Sequence, residues 1–191
     1  MNTLITGGAG FIGSHLAEKL LARSERVTVL DDLSTGSLEN IRHLRTHKNF
    51  IFKKGSVLNE KQLTPLIEKT DRIFHLAAAV GVKYIIEKPL YSMANNILGT
   101  ENVLRLAAKR NTPVLVTSSS EVYGKLDRFP FHEDADRLYG SAFNERWGYG
   151  LSKAGDEFMA LGYFREKGLP TIVVRLFNTV GPRQTGRYGM V

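Results

Sequence analysis

The feature that most constrains this sequence is a glycine-rich turn near its start, residues 6–13, which reads TGGAGFIG. The apolar pair Leu4-Ile5 enters the turn, and an amphipathic run leaves it, so the order predicts strand, tight turn and helix. Gly7 can adopt backbone angles closed to other residues, and Gly13 lets the helix pack closely on its strand. A helix N-terminus at Gly10 offers free N–H groups to an anion. The turn is therefore predicted to hold the pyrophosphate of a dinucleotide, although an ordinary β-to-α turn can carry the same glycines.

A second apolar run at 27–30 predicts a buried strand that ends at two aspartates, Asp31 and Asp32. Asp31 lies eighteen residues after Gly13, about where the ribose-binding acid of such a unit belongs. A carboxylate there can accept both ribose hydroxyls and repels a 2′-phosphate, so the position favours NAD over NADP. The alternative is that either aspartate is a solvated loop residue or a helix cap.

Length and composition restrict the class of protein. At 191 residues the chain fits one large α/β domain better than two small ones. It contains no apolar run near the length of a membrane span, and its first strand begins so early that we expect no signal peptide and no membrane. The absence of cysteine excludes disulfides and thiolate metal sites, so no metal is expected and a cytoplasmic location fits.

The formal net charge is +7, but the basic residues are scattered along the chain. Nucleic-acid binding proteins collect them in a patch or stripe, so no nucleic-acid partner is expected. Anionic phosphates of a cofactor and a substrate explain part of the excess, and a missing acidic C-terminal segment could explain more.

Apolar runs alternate with helical periodicity along the whole chain. Strands that alternate with helices form a mostly parallel sheet covered on both faces. Ligands bind at the carboxyl ends of the strands in such sheets. The predicted strands are 2–6, 26–31, 50–53, 72–76, 113–118 and 171–176, and the predicted helices are 11–23, 60–69, 89–110 and 150–168.

The residues that follow these strands are polar or small, as expected at a ligand-binding edge. They are 31–36 after the second strand, 55–57 after the third, 75–80 after the fourth, 118–124 after the fifth and 177–183 after the sixth. A further stretch at 124–148 is long for a compact domain, and loops of that length are usually functional or mobile.

Tyr149 and Lys153 stand four residues apart at the start of the last predicted helix, so that they share one face. A free tyrosine has a pKa near 10, which is too high for a general base at neutral pH. We expect Lys153 and a positively charged nicotinamide ring to favour the phenolate and to bring the pKa of Tyr149 toward the working range. The alternative is an ordinary pair on a helix surface.

Taken together, these motifs resemble the extended short-chain dehydrogenase/reductases, and in particular their NAD-dependent nucleotide-sugar epimerases, dehydratases and decarboxylases. The resemblance covers the whole chain in order. It is carried by residues 7–13, the Asp31 loop, the HLAA run at 75–78, the NILGT run at 96–100, Ser119 with Tyr149 and Lys153, and Phe177-Asn178.

The resemblance implies an α/β fold with a doubly wound parallel sheet, a Rossmann-type NAD-binding domain over 1–180. Residues 181–191 would begin a substrate-binding region, with most of the family's C-terminal sugar-binding domain absent from this chain. It also implies a homodimer that packs two long helices, here about 89–110 and 150–168, against their copies.

The implied chemistry is oxidation of a sugar 4-hydroxyl to a 4-keto sugar by a tightly held NAD. The resemblance also implies a nucleotide sugar, expected to be UDP-linked, as substrate. Tyr149 takes the proton, Ser119 hydrogen-bonds the same oxygen, and Lys153 holds the nicotinamide ribose. The expected catalytic residues are Ser119, Glu121, Tyr149 and Lys153, and the expected substrate contacts are Ser119, Ser120, Tyr149, Asn178 and Arg183. The expected cofactor contacts are Gly7, Gly10, Phe11, Ile12, Gly13, Asp31, Asp32, Ser34, Thr35, Gly36, Ser56, Val57, Leu76, Ala77, Ala78, Val80, Asn96, Ser118, Tyr149, Lys153 and Phe177.

Several of these assignments have a structural alternative. Glu121 could be a helix cap, Asn178 could only turn the chain after the last strand, and Arg183 could be solvated. His75 is expected to be structural rather than catalytic. Ser56 departs from the family, which often has an adenine-binding aspartate there, and its hydroxyl would bind adenine more weakly.

The second step of the reaction is left open by the sequence. The run Ser119-Ser120-Glu121, followed by Val-Tyr-Gly, resembles UDP-glucuronate decarboxylases most, while 4-epimerases often have a small residue at Glu121. A 4,6-dehydratase would typically carry an aspartate where Ser120 stands. A third interpretation, of another class, is a non-catalytic NAD-binding module or fragment, against which the intact Ser119, Tyr149 and Lys153 argue.

Overall fold

A computed structural model describes residues 1–80 and 82–185, and of residues 82–84 it describes the backbone alone. The strands are β1 (Asn2–Thr6), β2 (Arg26–Asp31), β3 (Phe50–Lys54), β4 (Arg72–His75), β5 (Val114–Ser119) and β6 (Thr171–Leu176). The helices are α1 (Phe11–Ala22), α2 (Leu38–Ile41), α3 (Glu60–Ile67), α4 (Val82–Glu87), α5 (Pro89–Ala108) and α6 (Trp147–Lys167). Single 3₁₀ turns occupy Arg42–Leu44 and Ser120–Tyr123.

The six described strands form one parallel sheet in the order β3-β2-β1-β4-β5-β6. The order reverses between β1 and β4, which is the point where doubly wound sheets bind ligands. The predicted α/β class and parallel sheet are therefore confirmed. All six predicted strands are present within a residue or two of their predicted bounds.

The helices depart more from the prediction. Helix α6 begins at Trp147 rather than at residue 150, and α5 ends at Ala108 rather than at 110. The short helices α2 and α4 and the two 3₁₀ turns were not predicted, because four to six residues carry too little periodicity to stand out. Within the described residues, no helix is both long enough and apolar enough to span a membrane.

The core lies on both faces of the sheet, as the alternation of side chains along a strand requires. Leu4 and Ile5 on β1 are both fully buried and belong to different clusters. Leu4 packs with residues of α3, α5 and α6 such as Leu63 and Leu104, while Ile5 packs with residues of α1 such as Ala17. The two layers fix α1 above the centre of the sheet, where the glycine turn ends.

The position of α1 depends on Gly13. A methyl group added there would overlap the carbonyl oxygen of Gly7 and lie 2.6 Å from the Cα atom of Gly8, both in the turn that follows β1. Because these neighbours are backbone atoms, they cannot rotate away. The absence of a side chain at Gly13 therefore allows the first turn of α1 to sit against the end of β1.

One polar side chain is buried inside this core. His75, at the end of β4, is 1% exposed, and its two ring nitrogens lie 2.7 Å from the Thr6 hydroxyl and 3.0 Å from the Thr100 hydroxyl. Burial, with a smaller contribution from the charge of Lys153, lowers the pKa of His75 to about 3. His75 is thus a neutral hydrogen-bonding link between β1, β4 and α5, in agreement with the structural role expected from the sequence.

We predict that Gly13→Ala lowers the free energy of unfolding by roughly 1–3 kcal/mol, the usual effect of overpacking a well-packed site. Urea unfolding measures the change. The matched control is Gly162→Ala in α6, where an added methyl group meets nothing within 4 Å and should stabilise the helix by roughly 0.5–1 kcal/mol. Equal effects at both positions would contradict the packing argument.

We also predict that His75 makes stability depend on pH. Because the folded state resists protonation down to a pKa of about 3, the unfolded chain binds one more proton between that pH and about 6.5. Stability should therefore fall with decreasing pH across this window, by up to roughly 1.4 kcal/mol per pH unit from this group. Urea unfolding of His75→Gln should show a flatter profile than the wild type, while His132→Gln, at an exposed position, should keep the wild-type slope. A wild-type slope in His75→Gln would refute the prediction.

Candidate active site

A single cavity of about 350 Å³ lies at the carboxyl ends of the strands, around the point where the strand order reverses. Its wall is built from the glycine turn, the Asp31 loop, the segments that follow β3, β4 and β5, the start of α6 and the chain after β6. All but two of the site residues expected from the sequence line it. The lining residues among them are Gly7, Gly10, Phe11, Ile12, Gly13, Asp31, Asp32, Ser34, Thr35, Ser56, Val57, Leu76, Ala77, Ala78, Val80, Ser118, Ser119, Ser120, Glu121, Tyr149, Lys153, Phe177, Asn178 and Arg183.

The two residues that do not line the cavity have structural contacts instead. Gly36 lies behind the Asp31 carboxylate, so that an added methyl group would meet that carboxylate at 2.9 Å. Asn96 is 1% exposed, and its side chain forms hydrogen bonds within the protein. Its Oδ1 accepts from the Ala79 N–H at 2.7 Å, and its Nδ2 donates to the Ser152 hydroxyl at 3.0 Å. Asn96 therefore ties the segment after β4 to α6, where the sequence predicted a direct cofactor contact.

Several lining residues were not predicted. Asn95 is the most informative, because it is 7% exposed and its Oδ1 has no hydrogen-bond partner among the described residues. It precedes Asn96 in the sequence, and of the two asparagines it is Asn95 that lines the cavity. The others are Leu30, Asn40, Gly55, Thr117, Leu176, Thr179, Gln184 and Thr185, and all of these except Asn40 and Thr185 adjoin predicted positions.

Asp31 sits at the edge of the cavity with both oxygens held by backbone. Oδ2 accepts from the Ala9 N–H at 2.9 Å and Oδ1 from the Leu33 N–H at 2.8 Å. Burial raises the pKa of Asp31, and these two N–H groups oppose the change. Each carboxylate oxygen keeps a second lone pair for a ligand hydroxyl. Asp32 instead accepts from the Ser34 N–H at 2.8 Å, which closes the loop locally.

The first turn of α1 forms the neighbouring wall. Gly10 is its N-cap and provides no side-chain cap, so the N–H groups at the start of the helix keep their capacity for an external acceptor. No acidic residue stands in this first turn. The partial positive charge of a helix N-terminus is therefore directed at the cavity without a neighbouring negative group on the same turn.

Tyr149 lies in the first turn of α6 and also lines the cavity. Helix α6 starts close to the Ser120–Tyr123 turn because Gly150 packs on the carbonyl oxygen of Glu121, where an added methyl group would come within 2.5 Å. This packing brings the phenol beside Ser119, whose hydroxyl also accepts from the Glu121 N–H at 3.2 Å. The serine and the tyrosine that the sequence paired across 30 residues are thus neighbours in the structure.

The acidity of Tyr149 departs from the expectation. Burial raises its pKa, and the opposing contributions of Lys153 and Ser119 do not overcome burial, while Asp156 and Glu121 raise the pKa further. The expectation that Lys153 contributes in the direction of the phenolate is correct in sign. The chain by itself, however, leaves the phenol a weaker acid than free tyrosine.

Lys153, one turn further along α6, is 2% exposed at its side chain and donates from Nζ to Asp156 Oδ2 at 2.7 Å. An ammonium group has three N–H donors, so two remain after this ion pair. The amine lines the cavity beside Tyr149. The Asp156 partner was not anticipated from the sequence, because a carboxylate three residues after a lysine on a helix usually indicates a surface pair.

Two other site residues, Glu121 and Arg183, occupy more exposed positions. The carboxylate of Glu121 lies 3.7 Å from a guanidinium nitrogen of Arg146, and both side chains are partly exposed. Arg183 donates to the Glu18 carboxylate at 2.8 Å and to the Ser14 hydroxyl at 3.3 Å. Arg183 lowers the pKa of Glu18. It therefore faces the cavity with part of its hydrogen-bonding capacity already used.

The stretch predicted as a long functional or mobile loop is tied down by one buried carboxylate. Glu157 on α6 binds Arg137 of this stretch, Arg175 of β6 at 2.8 Å and the Ser118 hydroxyl of β5 at 2.5 Å. Burial opposes the effect of these donors, but together they lower the pKa of Glu157. The stretch is further held by the Tyr139 hydroxyl, which lies within hydrogen-bond distance of the Val122 and Gly150 carbonyls.

Comparisons with known proteins agree with this site. The sequence model of the family described as GDP-mannose 4,6 dehydratase matches residues 4–190. A UDP-N-acetyl-alpha-D-glucosaminuronate decarboxylase of Bacillus cytotoxicus is 44% identical over 180 residues, which cover 94% of this chain and 55% of that protein. The chain thus spans about half the length of the curated relatives it matches.

Solved structures have the same fold. The UDP-N-acetylglucosamine 4-epimerase of Methanobrevibacter ruminantium M1, in complex with UDP-N-acetylmuramic acid, superposes with a TM-score of 0.89 at 32% identity, over 100% of this chain and 59% of that chain. The dTDP-glucose 4,6-dehydratase DesIV of Streptomyces venezuelae, with NAD bound, gives a TM-score of 0.88 at 32% identity, over 96% and 58%.

The family match covers nearly all of the chain, and the resemblance found in its motifs is confirmed by the fold and by these relatives. The chain belongs to the GDP-mannose 4,6 dehydratase family, a group within the extended short-chain dehydrogenase/reductases.

Proposed function

We propose that this chain is the cofactor-binding and catalytic part of an NAD-dependent nucleotide-sugar modifying enzyme of the epimerase or decarboxylase type. The enzyme oxidises the sugar C4 hydroxyl to a 4-keto intermediate. One observation carries the proposal: a single cavity brings together the glycine turn, Asp31, Ser119, Tyr149 and Lys153.

The cavity fits NAD. The uncapped first turn of α1 can receive the pyrophosphate, and Gly10 presents no side chain to keep it away. Asp31 has lone pairs for the ribose hydroxyls next to that turn, and its negative charge disfavours a 2′-phosphate. The free Oδ1 of Asn95 is a buried acceptor on the same wall that a ligand hydroxyl or amide can satisfy.

NAD, when bound, supplies the hydride acceptor and a positive charge at the nicotinamide. Tyr149 removes the proton of the C4 hydroxyl, and Ser119 holds the same oxygen through its hydroxyl. Lys153 binds the nicotinamide ribose with the donors that remain after its pair with Asp156. Burial leaves the pKa of Tyr149 above its ordinary value in the chain alone, and a positive charge beside the phenol would lower that pKa.

For the second step we propose decarboxylation ahead of epimerisation. A 4-keto group makes a carboxylate on C5 a ready leaving group. Glu121 and Ser120 line the cavity, and Arg146 lies 3.7 Å from Glu121. The Bacillus cytotoxicus relative, named as a decarboxylase of a UDP-linked uronate, supports this choice. The dehydratase alternative has less support, because Ser120 cannot act as the acid that an aspartate would provide.

We propose a UDP-linked sugar as the substrate, with Ser119, Ser120, Asn178 and Arg183 among its contacts. Residues 1–180 form the NAD-binding domain and 181–191 the start of a substrate-binding region; of the latter, residues 186–191 lie outside the described residues. A cytoplasmic location stays a prediction from the absence of cysteine.

A homodimer is proposed through α5 and α6. These helices carry exposed apolar side chains, of which Leu98 is 54% exposed, Phe158 68% and Phe164 54%. Burial of such side chains against a second copy would remove apolar surface from water.

We predict that Asp31→Asn weakens NAD binding about ten- to a hundredfold, the usual effect of losing a charge-assisted hydrogen bond, and reduces the preference for NAD over NADP. An asparagine must also turn its NH₂ group toward one of the two backbone N–H donors that Asp31 accepts. Isothermal titration calorimetry with both dinucleotides measures the effect. Asp32→Asn is the matched control and should change NAD affinity far less, and equal losses would argue against Asp31 as the ribose ligand.

We predict that Tyr149→Phe in the full-length enzyme reduces turnover of the nucleotide sugar by at least about a thousandfold, near the upper range for general acid–base catalysis. NAD should still bind, because the change leaves Asp31 and the glycine turn intact.

Mass spectrometry of the wild-type product then distinguishes the possible second steps. Loss of carbon dioxide indicates decarboxylation, loss of water indicates dehydration, and an unchanged mass indicates epimerisation. Undiminished turnover in Tyr149→Phe would exclude the mechanism, and NAD binding without any sugar oxidation in the wild type would indicate a non-catalytic module.

A further inference from the structure

Asp156, three residues after Lys153 on α6, is an acidic residue that the chemistry above does not use. Its Oδ2 accepts from Lys153 Nζ at 2.7 Å, and the two side chains are 2% and 0% exposed. Removal of two ions from water costs several kcal/mol per ion, which the mutual attraction repays only with good geometry. A pair buried this completely at the catalytic lysine therefore calls for a role beyond surface stabilisation.

The other ionisable groups around the pair do not balance the charge of Lys153. His75 on β4 has a pKa lowered to about 3 by burial, so it is neutral at physiological pH. Glu157, the next residue on α6, is bound by Arg137, Arg175 and Ser118. Tyr149 on α6 and Glu121 after β5 also act on this region, but Tyr149 is protonated, and Glu121 pairs with Arg146. Within the described residues, Asp156 is the carboxylate in contact with the amine.

Asp156 is also connected to the centre of the sheet. A neutral imidazole has one donor and one acceptor, and one assignment satisfies every neighbour of His75. The Thr6 hydroxyl, which accepts from the Ala77 N–H at 3.4 Å, donates to His75 Nδ1, and His75 Nε2–H donates to Thr100. The Thr100 hydroxyl then keeps its own proton, and its interaction with Asp156 lowers the pKa of that carboxyl group.

Burial raises the pKa of Asp156 above its usual value, and Lys153 and Thr100 oppose this change without overcoming it. Asp156 Oδ1 has no hydrogen-bond partner among the described residues. The contact of Oδ2 with Lys153 is therefore the one short polar interaction of this carboxylate with those residues. Hydrogen bonds thus run from Thr6 through His75 to Thr100, and Thr100 acts on the pKa of Asp156. Through Asp156, the Lys153 amine is thereby positioned relative to the strands that form the cavity.

We propose that Asp156 is a positioning residue that keeps the buried Lys153 amine protonated and fixed at the cavity wall, and that it thereby sets the alkaline limit of sugar oxidation. The last clause rests on the proposed function, whereas the control of the charge and position of Lys153 does not.

The consequence of removing Asp156 follows from burial. An ammonium group that loses its counter-ion in a desolvated site releases its proton more easily. Asparagine has the shape of aspartate and keeps one acceptor oxygen, but it has no charge. In Asp156→Asn the Lys153 amine should therefore lose its proton at lower pH. A neutral amine no longer opposes the effect of burial on the pKa of Tyr149, so the base becomes harder to generate.

The direct test is the titration of Lys153 in the full-length protein, followed by NMR of lysine labelled at the side chain and assigned with Lys153→Met. We expect the titration midpoint of the Lys153 amine to fall by at least about one pH unit in Asp156→Asn. Glu157→Gln is the matched control, since it removes a buried negative charge one residue away that contacts Arg137 and Arg175 instead of Lys153. A shift in Asp156→Asn no larger than that in Glu157→Gln overturns the proposal.

The reciprocal measurement decides the case if Asp156→Asn does not fold. Coupling between two titrating sites is mutual, so removal of the lysine must act on the carboxyl group. In Lys153→Met, Asp156 should be protonated at neutral pH, because burial then acts without the opposing ammonium, and carbon-13 NMR of labelled aspartate detects this state. An ionised Asp156 at neutral pH in this variant overturns the proposal.

The pH profile of kcat/KM in the full-length enzyme connects the proposal to catalysis. The alkaline limb of Asp156→Asn should move to lower pH by about the same amount as the Lys153 titration, whereas a purely structural defect lowers the whole profile without moving its limb. If the wild type oxidises no nucleotide sugar, the proposed function fails and the NMR titrations still decide the role of Asp156. If the wild type is active, and Asp156→Asn moves neither the alkaline limb nor the Lys153 titration midpoint, the proposed role of Asp156 is rejected while the proposed function stands.

Discussion

The close packing of α1 on the turn that ends β1 determines the shape of the cavity. Gly13 lies against the backbone of Gly7 and Gly8, so the first turn of α1 begins directly above the point where the strand order reverses. A longer side chain there would push the helix away from the sheet, and its free N–H groups would leave the cavity wall. The Asp31 loop is positioned by the same contact, since its carboxylate binds the N–H of Ala9 in the turn.

Charge is distributed unevenly around the cavity. The end formed by α1 carries uncapped N–H groups and a single buried carboxylate, which suits a diphosphate and a ribose. The end formed by α6 combines a phenol with a raised pKa, an ammonium group and the Asp156 carboxylate. Burial raises the pKa of that phenol, and a positive charge bound beside it would lower the pKa again. In the proposed mechanism the ligand thus completes the electrostatics of the base.

Most of the fold was predictable because parallel strands buried on both faces leave continuous apolar runs, and all six were found in the sequence. The cavity wall was predictable for a related reason: residues that follow such strands must meet at one edge. The sequence could not predict which way individual side chains point, and therefore could not predict which of them line the cavity. Asn95 and Asn96 are adjacent, and only the course of α5 shows that Asn95 faces the cavity. The burial of Asp156 has the same origin, because spacing alone cannot distinguish a surface pair from one enclosed between α5, α6 and β4.

The carboxylate of Glu157 has a consequence for how this scaffold tolerates change. It binds Ser118 of β5, Arg175 of β6 and Arg137 of the 124–148 stretch, and so joins these elements to α6 at one point. Insertions or deletions in that stretch should therefore be better tolerated away from Arg137 and Tyr139, which bind Glu157 and the Val122 and Gly150 carbonyls. Transplanting the stretch from a homologue without its arginine would instead remove one of the two guanidinium groups that bind Glu157 beside Ser118. Loop exchange in this stretch should keep this anchor and vary the residues around it.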